Sequence, residues 1–364
     1  MMAVGPEGHG AWWEETLFRS VTLYPWATMD AEAVVDRLAE RGVNVVFVVM
    51  KESDGRVFYD SEVAPPQVPD RDLLDDLLTA AAGREVAIVP SLFVLCDKYL
   101  VEQHPEVVQI AREGTEIRYP NVSAEWMHWS CPNHEVVRDH LRGVVDELLA
   151  YDIDGLQFTH FEYQPVMNDE SSYLSCFCEA CLTHHDARNA DDGSVEWTAG
   201  RCETITGLIE ELSAPLRERE ELLVNVELEA FTDLDSAVEE SRETFGVDQL
   251  SLADLADVLT LRTAHIDVDM HPLWIRDVVR SLQERTGSPI VPSIRTADDQ
   301  RPPTYVPDDE LKTAIQMALH GGAQGVSLFS AGANVSTLSE GQWELVASQF
   351  DEFAAFEHDH WRSE

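Results

Sequence analysis

Four cysteines stand in a pattern that metal chemistry uses. Cys176-Phe177-Cys178-Glu179-Ala180-Cys181 is a C-x-C-x2-C run, a spacing at which three thiolates can converge on one ion from a tight turn. A structural zinc wants a fourth ligand, and Cys131, in Trp129-Ser130-Cys131-Pro132-Asn133, is the leading candidate. His184 and His185 are weaker ones. So are Cys96 and Cys202, which read as buried thiols at a strand end and inside a helical pattern. Four thiolates would leave no open position for water, so one zinc per chain would be structural. The plain alternative is a group of unligated thiols. A redox role would call for a C-x-x-C beside a thioredoxin-like unit, which the sequence lacks.

The second chemical feature is a carboxylate at the polar end of a strand. Gly155–Tyr163 begins apolar and ends Thr159-His160-Phe161-Glu162-Tyr163. In a parallel barrel the C-terminal strand ends are where catalytic side chains sit. Cleavage of a glycosidic bond takes two carboxyl groups, one as proton donor and one as nucleophile or base. Glu162 is the candidate donor. For its partner the sequence offers Glu227 and Glu229, which share strand parity and so one face, together with Asp267 and Asp298 in loops after later strands. Most single acids in a chain with 68 of them are solvated surface charges. Arg262 and Arg295 also end strands, where they could bind a carboxylated sugar, hold an acid ionised, or form structural ion pairs. His160, His265 and His271 are candidate contacts. Trp26 and Trp129, with Trp12, Trp13, Trp126 and Trp274, lie mainly in connections, where ring faces could stack on sugars or pack as rim and core.

These side chains need elements to hold them. Eight strand-like runs alternate with amphipathic stretches: Phe18–Tyr24, Val43–Met50, Glu85–Leu95, Gly155–Tyr163, Leu222–Glu229, Asp257–His265, Pro289–Thr296 and Gly325–Ser330. Helical patterns cover Asp30–Arg41, closed by Gly42, then Asp70–Ala82, Asn133–Tyr151 with an Asn cap, Leu273–Arg285, Pro307–His320 and Ser339–Glu357. Repeated strand–helix units imply a parallel sheet, and strands apolar throughout, such as Val45-Val46-Phe47-Val48-Val49, imply burial on both faces. No Gly-rich phosphate loop follows the first strand, which disfavours an open dinucleotide-binding sheet. The expected fold is a single (β/α)8 TIM barrel over residues 1–364. A zinc-stapled, metal-binding insertion is expected at 164–193, after strand four.

Composition bounds the rest. The formal net charge is −43, with 68 acidic against 25 basic residues spread along the chain. Self-repulsion on that scale destabilises a compact state unless salt screens it, so the composition resembles that of a halophilic archaeal protein. No basic patch suits nucleic acid. No apolar run is long enough to span a bilayer, and Met1 to Gly10 has no signal-peptide pattern, so a cytoplasmic location is expected. A homo-oligomer is compatible with the sequence.

Two resemblances sharpen this. Cys131-Pro132-Asn133, then Phe161-Glu162-Tyr163, then Cys176-x-Cys178-x2-Cys181 resembles, in order, the pattern of glycoside hydrolase family 42 β-galactosidases. That resemblance implies Glu162 as acid/base and Cys131, Cys176, Cys178 and Cys181 as zinc ligands. Phe161 stands where the family has an Asn that contacts the sugar. Lys51-Glu52-Ser53-Asp54-Gly55, Tyr59-Asp60-Ser61, Asp154-Gly155-Leu156 and Ala323–Phe329 resemble segments of hypothetical glycosyl hydrolase-like barrels, which brings Lys51 in as a substrate contact. There Thr159 replaces a strand-four Asp, and the strand-seven Glu that serves β-galactosidase-like barrels as nucleophile is missing from Pro289–Thr296. The expected function is a glycoside hydrolase acting on a carbohydrate. The alternatives are a carbohydrate-binding barrel that has lost its nucleophile, or a lyase or isomerase on an acidic sugar.

Overall fold

In a computed structural model, which describes residues 11–120, 126–167, 172–184, 194–298, 303–332 and 338–360, the alternating pattern closes on itself. The barrel strands are β1 (Phe18–Tyr24), β2 (Val45–Lys51), β3 (Ala87–Phe93), β4 (Gly155–Thr159), β5 (Leu223–Glu229), β6 (Val258–Arg262), β7 (Ile290–Arg295) and β8 (Gly325–Gly332). Each pairs in parallel with its neighbours, and β8 returns to β1, Phe18 lying opposite Gly325. The expected eight-stranded barrel is therefore the fold, with strand bounds within a few residues of those read from sequence.

Helices cover the outside: α1 (Ala31–Glu40), α2 (Leu73–Ala81), α3 (Lys98–Gln103), α4 (Glu135–Leu148), α5 (Glu179–His184), α6 (Val195–Arg217), α7 (Ala237–Phe245), α8 (Gln249–Ala253), α9 (Leu273–Thr286), α10 (Asp308–His320) and α11 (Glu340–His360). Apolar spacing sets their faces. In α4, Val137, Leu141, Val144, Val145 and Leu148 are buried on one stripe. Side-chain caps fix several starts: Asp30, Asp72, Asp97 and Ser194 each accept from a backbone amide three residues on. The expected Asn133 cap is corrected. His134 is the N-cap of α4 and makes no side-chain cap bond. The Asn133 amide instead donates to the Tyr163 hydroxyl and to Cys181 Sγ, each at 3.2 Å.

The barrel interior changes character from one end to the other. At the N-terminal end Phe18, Val45, Phe47, Ala87, Val89, Leu223, Val258 and Val291 form an apolar plug with Trp13. Trp12 packs beneath it and donates to Asp154 O, so this tryptophan pair closes the end opposite the C-terminal mouth. One layer up, the Gln157 amide donates to Asn225 Oδ1 (2.9 Å) and towards Thr260 Oγ1 (3.3 Å), and Thr260 in turn donates to Asn225. These buried groups are satisfied by one another, which a polar layer inside a barrel requires. Gly155 permits the β4–β5 contact. Its φ is +155°, and a Cβ there would sit 2.4 Å from Leu223 O.

Candidate functional site

Period-two alternation carries the inward face of each strand to the C-terminal mouth. On β1 that face ends at Thr22 and Tyr24, on β3 at Ser91 and Phe93, on β5 at Glu227, on β6 at Arg262, on β7 at Ser293 and Arg295, and on β8 at Phe329. With Val49, Gln157, Thr159, His160 and Ala264 they line a cavity of about 670 Å³, counting its open mouth, a size that suits a small ligand. Its walls are partly aromatic. The His160 ring stacks on Phe93 at 3.9 Å, and Tyr24 meets Phe329 edge-on at 5.8 Å. Hydroxyl and amide groups supply the floor.

Glu227 is the acid that lines this cavity. Its Oε2 accepts from Thr159 Oγ1 (2.7 Å) and from Arg262 Nη2 (2.8 Å). The other arm of Arg262 reaches Glu229. The guanidinium thus bridges two carboxylates presented by alternate residues of one strand, which is the planar fork geometry arginine favours. Burial alone would lower the Arg262 pKa, but Glu229, Glu227 and Glu162 together push it up. Burial raises Glu229 to about 7, against the pull of Arg262 and with repulsion from Glu162, Glu227 and Asp267.

Glu162 follows β4 and is 8% exposed. Burial raises its pKa, Arg262 opposes the shift, and Glu227 adds to it. Gln164 donates to its carboxylate. An upward shift of this kind is the direction a general acid calls for. His160, at φ +52°, is kept neutral by burial and by the charges of Arg262 and Lys51. It shares a 2.8 Å hydrogen bond with Thr159.

The remaining sequence candidates are placed as follows. Arg295 Nη1 pairs with Asp267 at 2.9 Å, and Arg295 lies over the Phe329 ring. Asp298 accepts from the Thr304 amide and so ties the loop after β7. His265 is fully buried and paired with Glu310 of α10 at 3.1 Å. His271 is exposed and caps the Leu273 amide. Trp26 is half-buried, whereas Trp129 and Trp274 are buried. Trp129 packs edge-on to Tyr119, and Trp274 donates to Phe231 O. His185 falls outside the described residues.

Lys51 is fully buried and points to Asp97, 2.9 Å away, and to Phe93 O. Burial would raise the Asp97 pKa, but Lys51 and His140 hold it well below the ordinary carboxylate range. The pair joins the connections after β2 and β3, and Gly55 passes so close that a Cβ there would lie 2.1 Å from Asp97 Oδ1. Lys51→Met strands a buried carboxylate and is expected to cost about 3–5 kcal/mol. Denaturant unfolding at fixed KCl checks this, and a loss under about 1 kcal/mol would mean that the pair contributes little.

Sequence reasoning missed Tyr24, Phe93 and Phe329. Strand parity counted from Phe18, Ala87 and Gly325 would have pointed them inward. It also missed Glu52, which burial and Asp54 raise to about 7 against a hydrogen bond from Gln67.

The four cysteines do meet. Sγ atoms of Cys131, Cys176, Cys178 and Cys181 lie within 4.8 Å of one another, all buried. Cys131 is 3.3 Å from Cys181 and 3.5 Å from Cys178. Thiolates around one zinc at about 2.3 Å stand roughly 3.8 Å apart, so the set fits a single tetrahedral ion. The Ile110 amide points at Cys176 and the Asn133 amide at Cys181, donors suited to thiolate charge. Arg201 adds a cation nearby. It is fully buried, donates to the carbonyls of Glu243 and Thr244, and lies over the rings of Tyr163 and Trp197. Burial lowers its pKa to about 10, with Cys181 and Cys176 among the groups that oppose the shift. It therefore stays charged at neutral pH. Cys96 and Cys202 are buried outside the cluster.

Fold and site thus define a (β/α)8 barrel with a carboxylate-bearing mouth and a four-cysteine cluster beside strand four. The family model described as Hypothetical glycosyl hydrolase 6 matches residues 30–159, from the cap of α1 to the end of β4. No curated protein matches the chain. Among solved structures, the chain is similar to the PgaB (BpsB) glycoside hydrolase domain from Bordetella bronchiseptica, with TM-score 0.69 and 14% identity over 92% of this chain and 97% of that one. It is similar to alpha-L-fucosidase isoenzyme 2 from Paenibacillus thiaminolyticus, with TM-score 0.66, 17% identity and 94% of this chain covered. The chain spans 50% of that fucosidase's length. It is also similar to a beta-galactosidase from the psychrophilic Marinomonas ef1, with TM-score 0.65, 12% identity, 93% of this chain and 60% of that one. At these identities the likeness is one of fold alone, the (β/α)8 barrel. Among the described residues no helix is long and apolar enough to cross a membrane.

Proposed function

We propose that this chain is a glycoside hydrolase in which Glu227 is the nucleophile or base and Glu162 the proton donor. The observation that carries the reading is Glu227 itself, a strand-end acid lining the cavity and gripped by Arg262 and Thr159. Glu162 stands in the neighbouring loop, close enough for the two to influence each other. Aromatic walls over a hydroxyl- and amide-bearing floor suit the apolar faces and hydroxyls of a sugar. Arg262 and Arg295 are each paired with acids, which favours an uncharged glycoside over a carboxylated one. We assign the four-cysteine cluster to one structural zinc, held by Cys131, Cys176, Cys178 and Cys181. Such an ion supplies cross-linking and charge to its loops, with no position for water.

The test is turnover of a panel of aryl glycosides in molar KCl, which screens the −43 charge. No turnover of any neutral glycoside would overturn this reading and leave a binding barrel, or a lyase or isomerase on an acidic sugar, in its place. The pH profile provides a further check. The general acid must carry its proton, and burial raises the Glu162 pKa. Activity should therefore persist above the ordinary carboxylate range and fall as pH rises through the raised value. An alkaline limb near about 4.3 would remove Glu162 from the role.

A further inference from the structure

We infer that Gln109, on the connection after β3, is a positioning residue that fixes Glu162 by tying its loop to both cysteine-bearing segments. The inference rests on the reading of Glu162 as proton donor. Gln109 is fully buried and belongs to none of the motifs that mark the site. A glutamine amide offers two N–H donors and one oxygen with two lone pairs, and here both donors and the oxygen are in use. Nε2 donates to Ser130 O at 3.0 Å and to Glu162 O at 3.3 Å. Oε1 accepts from the Gln164 amide at 3.1 Å and faces the Ser175 hydroxyl at 3.1 Å. That hydroxyl also lies 2.7 Å from Gln164 O.

The partners fall into two sets. Ser130 and Ser175 immediately precede Cys131 and Cys176. Glu162 and Gln164 form the acid loop, where the Gln164 side chain donates to the Glu162 carboxylate. The backbone around Gln109 repeats the connection. Cys131 N donates to Val107 O, Phe177 N donates to Ile110 O, and Ile110 N points at Cys176 Sγ. Residues 107–111 are thus laced between the two cysteine segments, and one side chain reaches from them to the acid. The acid loop has a second tether, from Tyr163 N to Phe245 O, so the loop can survive loss of the first one. A buried amide bonded at both its nitrogen and its oxygen locks one geometry, and removing it frees a backbone carbonyl and an amide at Glu162 and Gln164. A displacement of about 1 Å at a proton donor costs on the order of 10²-fold in rate.

The experiment compares wild type, Gln109→Met and Ser175→Ala, each loaded with zinc, for metal content, glycoside kinetics and amide exchange resolved at Gln164 and Tyr163. Gln109→Met should keep its metal and its KM. It should lose about 10²-fold in kcat on glycosides with poor leaving groups, which need the proton, and much less on activated ones. Ser175→Ala, the variant for the case in which Gln109→Met does not fold, should shift the same way by about tenfold. The Gln164 amide should exchange faster in both variants while the Tyr163 amide, held by Phe245, stays protected. Equal loss on all leaving groups, or loss of the metal along with activity, would make Gln109 a structural residue and sink the inference. If wild type turns over no glycoside, the exchange decides alone. Faster exchange at Gln164 keeps the positioning role while the glycosidase reading falls, and unchanged exchange overturns the inference.

Discussion

Glu227→Gln is expected to lower glycoside turnover by about 10²–10⁴-fold with the fold intact. The amide keeps the size and one acceptor oxygen of the carboxylate, so Thr159 and Arg262 retain a partner. It removes the charge that attacks an anomeric carbon or activates a water. Arg262 keeps Glu229 on its other arm, so the substitution does not leave a bare buried cation. If Glu227 is the nucleophile, Glu227→Ala with an activated aryl glycoside and excess azide should yield a glycosyl azide, because the small anion enters the vacated space. Retention of activity within tenfold in Glu227→Gln would shift the role to Glu229, whose own glutamine variant then becomes the decisive one. Glu162→Gln should behave differently, losing most on poor leaving groups and little on activated ones, since its proton matters most where the departing oxygen is basic.

Removal of the proposed zinc should have a large effect on stability. A tetrathiolate ion would join Cys131 to a segment about 45 residues later, and closing a loop of that length is worth roughly 4 kcal/mol by the chain-entropy argument. Stripping the ion at constant KCl should lower the unfolding free energy by about that amount and loosen residues 126–131 and 172–184 ahead of the barrel. Cys178→Ser should reproduce most of the loss, whereas Cys202→Ser, outside the cluster, should leave the metal in place. Elemental analysis giving about one zinc per chain, released only slowly to a chelator, fits a closed site. If the purified chain carries no metal and Cys178→Ser is as stable as wild type, the four residues are packed thiols and the acid loop is held by hydrogen bonds alone.

The sequence by itself determined the barrel and the meeting of the cysteines. Burial on both faces forces parallel strands to read as continuous apolar runs, and alternation with amphipathic helices leaves few ways to close them. Eight runs were therefore legible to within a few residues. The cysteine spacing was legible because three of the cysteines lie within one short stretch of chain, and the fourth stands on the adjacent connection of the same barrel face. Tertiary structure decided which acid lines the cavity. Glu227 and Glu229 have the same parity and look equivalent in sequence, yet Glu227 lines the cavity and Glu229 takes the other arm of Arg262. Lys51 lies in a motif that suggested a substrate contact, but its charge is taken up by Asp97, which arrives from another strand's loop 46 positions later. Trp12 and Trp13, which sequence left as stacking, rim or core rings, plug the opposite end, because they precede β1 and so lie at the N-terminal end of the strands. Gln109 was invisible in the sequence. Its amide acquires meaning only when residues 130, 162, 164 and 175, far apart in the chain, are brought around it. Local patterns set by backbone period and burial can be read one segment at a time. Pairings between charged and polar groups on different strands depend on closure of the barrel, which no single segment encodes.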